Sequence, residues 1–183
     1  MRITSIYCAF ALAVAFGGAA VAQNAAPAAA PQAGGAGPQN PPPPPARGPA
    51  LDLALEAAQA AIEAGKAADQ KVAVTVIDSA GVTKAILVAD GVGPRAVQNS
   101  NFKAQAALAF KQSSGELAEK VKTDKDLADK IAANPNYLAR QGAILVKVGD
   151  EIIGAIGVGG ARGSDKDEAY AFVGLQRVLA RLK

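Results

Sequence analysis

The chain has 183 residues, is 50% hydrophobic, and carries 19 Lys and Arg against 16 Asp and Glu for a formal net charge of +3. Interleaved charges and few aromatic residues argue against nucleic-acid binding, which needs clustered cations. His is absent, and Cys8 and Met1 are the only residues of their kinds, so the sequence excludes a His-based nucleophile pair, a Cys/His zinc site and an internal disulfide.

Residues 1–22 predict a signal peptide. Arg2 supplies a short positive region, and the almost wholly apolar run from Ile6 to Phe16 is too short to span a bilayer. Residues 20–22 read Ala-Val-Ala, which predicts cleavage before Gln23. We expect a periplasmic or secreted protein with no membrane span after cleavage; the alternative is an uncleaved N-terminal anchor.

Residues 23–49 predict a disordered spacer rich in Pro, Ala and Gly. The segment includes the run Pro41 to Pro45, and Arg47 is its only charged residue. It cannot bury enough apolar surface to offset the entropy of ordering, and its prolines favour extended backbone. The alternative is a proline-rich docking ligand. A folded domain is expected over residues 50–183.

The first half of this domain predicts a helix followed by a β-hairpin. An amphipathic helix is expected over 51–70, with Asp52 as its N-cap and Leu55, Ala58 and Ile62 on its apolar face. Residues 71–77 form a β-branched run that is apolar on both faces, which predicts a central strand. A turn at 78–81 then leads to a second strand at 82–88.

A second helix is expected over 102–111, capped by Asn99 or Ser100. One face of this helix carries Phe102, Ala106, Ala109 and Phe110, and another carries Lys103, Ala107 and Lys111. Residues 116–133 are weakly helical and strongly charged. The sequence Asn-Pro-Asn at 134–136 ends that pattern.

The last part of the chain predicts a second hairpin and a final helix. Strands at 143–148 and 151–158 are joined by a Gly-Asp turn. Ser164 with Asp167 resembles a capping box, and the helix that follows has its apolar side at Phe172, Leu175, Val178, Leu179 and Leu182. Two hairpins predict an antiparallel sheet with the N- and C-terminal helices over one face, an α+β fold.

The glycine-rich segment 154–163 is a candidate anion site. A G-x-G-x-x-G dinucleotide motif starting at Gly157 fails, because Arg162 stands at its last position and the flanking strands form hairpins. Backbone N–H groups around Gly159 and Gly160, beside Arg162, remain a candidate cradle for an anion. The alternative is a tight turn with no ligand.

Other polar residues have competing interpretations. Arg95, Lys103 and Lys111 predict either a carboxylate-binding surface or a solvated basic face. Asp78 and Asp90 predict either paired carboxylates or turn residues. Both occur where turns use Asp for local hydrogen bonds, and we favour the turn role.

Several short motifs spread over residues 51–183 carry a resemblance to one family. They are Leu-Asp-Leu-Ala-Leu at 51–55, Val-Ile-Asp-Ser-Ala-Gly at 76–81, Asp-Gly at 90–91, Phe-Lys-Ala at 102–104, Gly-Ala-Ile-Gly-Val-Gly-Gly-Ala at 154–161, Asp-Glu at 167–168 and Gly-Leu at 174–175. Taken in order, they resemble the GlcG/HbpS-like haem-binding family, also called the haem-degrading domain family. Gly159 stands where that family usually has Ser.

The resemblance implies a profilin-like α/β sandwich, a homo-oligomer and haem binding in some members. We therefore expect an exported haem-binding or haem-handling protein whose own side chains are not catalytic. Its porphyrin would be held by apolar contacts, and Arg95, Lys103 or Arg162 would bind the propionates.

Tyr137 and Tyr170 are the conventional candidates to ligate haem iron in a chain that lacks His. We favour Tyr137, because its loop follows Pro135 and can present a phenol to a groove, whereas Tyr170 lies in a helix. The alternative for each is a side chain at a pocket or subunit edge. Two other functions stay open: a binding module for a small organic acid, and an oligomeric interaction protein without haem.

Overall fold

The structure, a computed structural model, describes residues 45–183. These form helices α1 (Leu51–Ala67), α2 (Pro94–Phe110), α3 (Ser114–Lys120), α4 (Lys125–Ala132) and α5 (Ser164–Val178), and strands β1 (Ala73–Asp78), β2 (Thr83–Val88), β3 (Ala143–Val148) and β4 (Glu151–Gly159). A short 3-10 turn at Leu179–Arg181 follows α5. The predicted signal peptide and residues 23–44 of the predicted spacer lie outside the described residues.

The four strands form one antiparallel sheet in the order β2-β1-β4-β3. The two predicted hairpins are confirmed, and β1 pairs with β4 so that Ala73 lies opposite Gly159 and Asp78 opposite Gly154. Every residue of β1 is buried. The predicted central strand is therefore confirmed, and the fold is the predicted α+β arrangement.

Helices cover both faces of the sheet. The main core lies between α1 and α5 on one side and residues such as Val74, Val76 and Ile156 on the other. Alternate residues of β1 point to the opposite face, where Ile77 packs with Ala104 and Ala107 of α2. The prediction that the terminal helices share one face is confirmed, and α2 covers the second face.

Helix α1 differs from its prediction at its cap and its buried face. Ala50 is the N-cap and makes no side-chain bond, and Asp52 lies in the first turn. Leu55 is exposed, whereas the buried face is made of small residues together with one leucine: Leu53, Ala54, Ala57, Ala58 and Ala61. This face of α1 needs small residues because α5 packs closely against it: a Cβ on Gly174 would lie 2.5 Å from the Ala57 carbonyl oxygen.

Helix α2 begins earlier than predicted. Gly93 is its N-cap and Pro94 its first residue, a position that suits proline because the N–H it lacks has no helical partner there. Asn99 and Ser100 lie inside the helix, and the predicted caps were wrong. The Lys103 and Ala107 face of α2 is the face that packs on the sheet, since both residues are buried.

The later helices begin with N-cap residues that the sequence analysis did not identify. The charged stretch forms two helices, with a capping box between Ser113 and Glu116 at α3 and Asp124 as the N-cap of α4. Ser164 is not a cap, because Gly163 precedes α5 and makes no side-chain bond. The predicted apolar side of α5 was wrong for two of its residues: Phe172 and Leu179 are exposed, and the helix buries Asp167, Tyr170, Ala171, Gly174 and Val178.

Residues 47–49 contact the domain beside the turns of the two hairpins. The Arg47 N–H donates to Ser79 Oγ at 2.9 Å, and the Ser79 N–H donates back to the Arg47 carbonyl oxygen at 2.8 Å. The Arg47 side chain pairs with Glu151, and Pro49 is buried.

Within residues 45–183, no helix combines the length and the apolar character that a membrane crossing requires.

Candidate functional site

A cavity of about 400 Å³ lies where β4 ends, between the first turns of α2 and the turn that leads into α5. We call it the arginine cavity. Its charged lining residues are Arg95, Lys103, Arg140 and Asp167, and small or polar residues complete it: Ala96, Asn99, Gly160, Ala161, Gly163 and Ser164.

A buried ion pair forms part of this lining. Lys103 Nζ of α2 donates to Asp167 Oδ2 of α5 at 2.7 Å and to the Val158 carbonyl oxygen at 2.9 Å. The second carboxylate oxygen, Asp167 Oδ1, accepts the Ala161 N–H at 3.0 Å. The pair therefore ties α2, the end of β4 and the start of α5 together.

Burial shifts both groups of the pair. Loss of solvent lowers the pKa of Lys103, against the opposing attraction of the Asp167 carboxylate, and it raises the pKa of Asp167, against the attraction of Lys103. Arg140 also lowers the pKa of Lys103 through charge repulsion. Because the two buried charges compensate each other, Lys103 offers no free cation to a ligand.

Gly142 leaves the space that the ammonium group occupies. Its φ is +134°, and a Cβ there would lie 2.5 Å from Lys103 Nζ. Only glycine combines that backbone conformation with no side chain.

Arg95 and Arg140 are the cations of the cavity whose charge remains available. Both are exposed, and within residues 45–183 neither forms a salt bridge. Arg95 comes from the first turn of α2, and Arg140 from the loop before β3. The geometry offers two guanidinium groups from separate elements to one cavity.

The structure brings together Arg95, Lys103 and Gly160 among the predicted ligand-binding residues, but not Gly159 or Arg162. Gly159 is buried beneath α2, where a Cβ would lie 2.6 Å from the Ala96 carbonyl oxygen. Arg162 is exposed, and its N–H donates to Gln70 Oε1 at 2.8 Å.

The glycine-rich turn uses its N–H groups internally. The Ala161 N–H bonds Asp167, the Arg162 N–H bonds Gln70, and the Gly163 N–H bonds the Ala161 carbonyl oxygen. These three N–H groups, which follow Gly159 and Gly160 in the predicted anion cradle, are thus engaged within the protein. The segment serves close packing, since a Cβ on Gly157 would lie 2.1 Å from the Ser100 carbonyl oxygen of α2.

Tyr137 lines a different cavity of about 340 Å³, which we call the Tyr137 cavity. Lys111, Gln105 and Ile152 are among its other lining residues. The Tyr137 ring packs edge-on against Phe110, with centroids 5.7 Å apart. Two of the predicted propionate-binding cations, Arg95 and Lys103, therefore line a different cavity from Tyr137, the predicted iron ligand.

Two residues of the arginine cavity were missed as binding candidates. Arg140 was not among the predicted ligand-binding residues, because no local motif marks it. Asp167 was interpreted as a helix cap, although its place in the Asp-Glu motif of the family resemblance was a signal. Tyr170, the second tyrosine candidate, is 8% exposed in the main core.

A family model described as haem degrading protein HbpS-like matches residues 50–176. The chain belongs to this HbpS-like family. No curated protein sequence matches the chain.

Solved structures agree with the family assignment. A double mutant of Streptomyces reticuli HbpS is 31% identical with a TM-score of 0.67, over 82% of this chain and 97% of that one. Klebsiella pneumoniae ORFY is 23% identical with a TM-score of 0.69, over 79% and 99% of the two chains. PduOC, solved as a haem complex, is 17% identical with a TM-score of 0.65, over 71% and 94%. The last two likenesses show the fold alone.

Proposed function

We propose that this HbpS-like protein is an exported haem-binding protein that holds the haem propionates with Arg95 and Arg140. The proposal rests on two exposed arginines that line one cavity and form no salt bridge within residues 45–183. The other two charges of the cavity, Lys103 and Asp167, compensate each other. Family membership and the PduOC haem complex support haem as the ligand.

The donor set of the arginine cavity fits the carboxylates of haem. Guanidinium groups bind carboxylates through two parallel hydrogen bonds. None of the lining residues is a His, Met, Cys or Tyr, so this lining provides no conventional iron ligand. Bound haem would supply redox chemistry at its iron, while this chain's residues bind and orient the propionates.

Tyr137 as an iron ligand is a separate proposal, because it places haem in the Tyr137 cavity. Lys111 is the cation that lines that cavity, so it would replace Arg95 and Arg140 as the partner of a propionate. The two placements make opposite predictions for substitutions at the two cavities.

Export and assembly belong to the same proposal. The predicted leader would send the chain to the periplasm or the medium. We further propose a homo-oligomer, because the edge strand β2 and its preceding turn leave Val82, Ile86 and Val88 exposed, and uncovered apolar edge strands favour pairing. Light scattering of the mature protein tests this, and a monomer at micromolar concentration would contradict it.

A small organic acid is the second candidate ligand for the arginine cavity. Ala96 and Ala161 are the aliphatic side chains of the lining, which gives little apolar surface for a porphyrin face. Haem titration of the mature protein, followed by Soret absorption, separates the two. Saturable binding supports the haem proposal, and an unchanged spectrum would leave the organic acid.

A further inference from the structure

We infer that the arginine cavity selects ligands that carry two carboxylates, each bound by one arginine. The inference rests on the proposed binding site, but it does not require that the ligand be haem. It specifies how many negative charges the preferred ligand carries.

The charges of the lining set this preference. Lys103 and Asp167 cancel within a buried pair, which leaves Arg95 and Arg140 as two positive charges. The charged neighbours of the lining segment cancel in sign, two being positive (Arg162, Lys166) and two negative (Asp165, Glu168). A ligand with two negative charges therefore neutralises the cavity, and a ligand with one leaves an arginine uncompensated.

The buried pair also keeps the two arginines as the available donors. Both Lys103 Nζ and Asp167 Oδ2 are engaged at 2.7 Å, and Lys103 is held further by Val158. A ligand carboxylate that displaced Asp167 from Lys103 would leave a buried charge unpaired, which is strongly unfavourable.

The two arginines come from separate elements of the fold, and each can bind a carboxylate of its own. Arg95 lies in the first turn of α2, where the positive end of the helix dipole adds to the attraction for an anion. Arg140 lies in the loop between α4 and β3. Two carboxylates on one ligand frame match this arrangement.

Iron-free protoporphyrin IX tests the inference on the mature protein. Its diacid, monomethyl ester and dimethyl ester differ in carboxylate number but share one ring, and binding is followed by fluorescence. We expect each esterification to weaken binding by up to about five-fold, the range of exposed ion pairs. In Arg95→Gln, the diacid should bind about as weakly as the monoester binds to the wild type. Lys111→Gln, which removes a cation from the Tyr137 cavity, should preserve the wild-type ratios.

Small carboxylates separate this inference from the haem proposal. If no porphyrin form binds, haem is excluded as the ligand, yet succinate should still raise the melting temperature more than butyrate does. Arg95→Gln/Arg140→Gln should abolish that difference. Equal affinities for the diacid and the dimethyl ester, or equal effects of succinate and butyrate, would overturn the two-carboxylate inference.

Discussion

Lys103 and Asp167 form a 2.7 Å salt bridge between α2 and α5, with their side chains only 2% and 5% exposed. Such a pair loses the hydration of both ions, and good geometry with additional hydrogen bonds must offset that loss. Val158 and Ala161 supply those bonds. The pair thereby fixes the turn that borders the arginine cavity.

Removing one partner of this pair should be costly. Asp167→Asn keeps the shape but leaves the Lys103 ammonium without its counter-charge, and we expect a loss of about 3–5 kcal/mol in unfolding free energy. Urea denaturation measures it. Lys103→Met combined with Asp167→Leu should be less destabilised than either single substitution, since neither charge is left alone. Additive losses would contradict this coupling.

The loss of unfolding free energy in Asp167→Asn should depend on pH. Burial lowers the pKa of Lys103 below its ordinary 10.5, and in this variant no Asp167 carboxylate opposes the shift. Between the lowered pKa and 10.5, the unfolded chain binds more protons than the folded one, so the unfolding free energy rises with pH in that interval.

Relative to wild type, the deficit of Asp167→Asn should therefore shrink between pH 7 and pH 10. Urea denaturation at both pH values tests this sign. A deficit that stays constant or grows with pH would show that Lys103 does not titrate early in the folded variant.

Gly157→Ala should destabilise the domain by disturbing the packing of α2 on β4. The new methyl group would lie 2.1 Å from the Ser100 carbonyl oxygen, a backbone atom that cannot rotate away, and overpacking of this kind costs about 1–3 kcal/mol or more. Gly93→Ala is the control for the loss of a glycine, because nothing lies within 4 Å of its Cβ position. It replaces the glycine N-cap of α2 by the less favoured Ala, which costs about 1 kcal/mol at most. A melting temperature equal in both variants would argue against the close approach of helix and strand.

The hairpins and terminal helices could be predicted because their signals are local. β-branched runs with Gly-Asp or Asp-x-x-Gly turns specify strands over a few residues. The start of α2 was predicted too late, although Gly93-Pro94 carries the signal of a helix start, with proline at the first helical position. Ser113 and Glu116 likewise carried a capping-box signal that went unused.

The site could not be predicted to the same extent, because its contacts join distant parts of the chain. Lys103 and Asp167 are separated by 64 positions, and nothing in the helical pattern distinguishes a buried lysine from a solvated one. Arg140 reaches the cavity from a loop whose path depends on the packing of α2 and β3. Tertiary structure alone assigns these three residues to one site.

Exported protein should begin at Gln23, because residues 20–22 present a small-x-small cleavage pattern before it. Intact-mass measurement of protein recovered from the periplasm or the medium checks this. A mass that still contains residues 1–22 would replace the signal peptide with an N-terminal anchor.

Haem titration of variants at the two cavities tests the central claim most directly. The wild type should show saturable Soret changes, and Arg95→Gln/Arg140→Gln should weaken binding by up to about 25-fold, the product of two exposed ion pairs. Tyr137→Phe and Lys111→Gln should bind haem as the wild type does. Wild-type affinity in the arginine variant, together with an altered ferric spectrum and weakened binding in Tyr137→Phe, would contradict the account and place haem in the Tyr137 cavity.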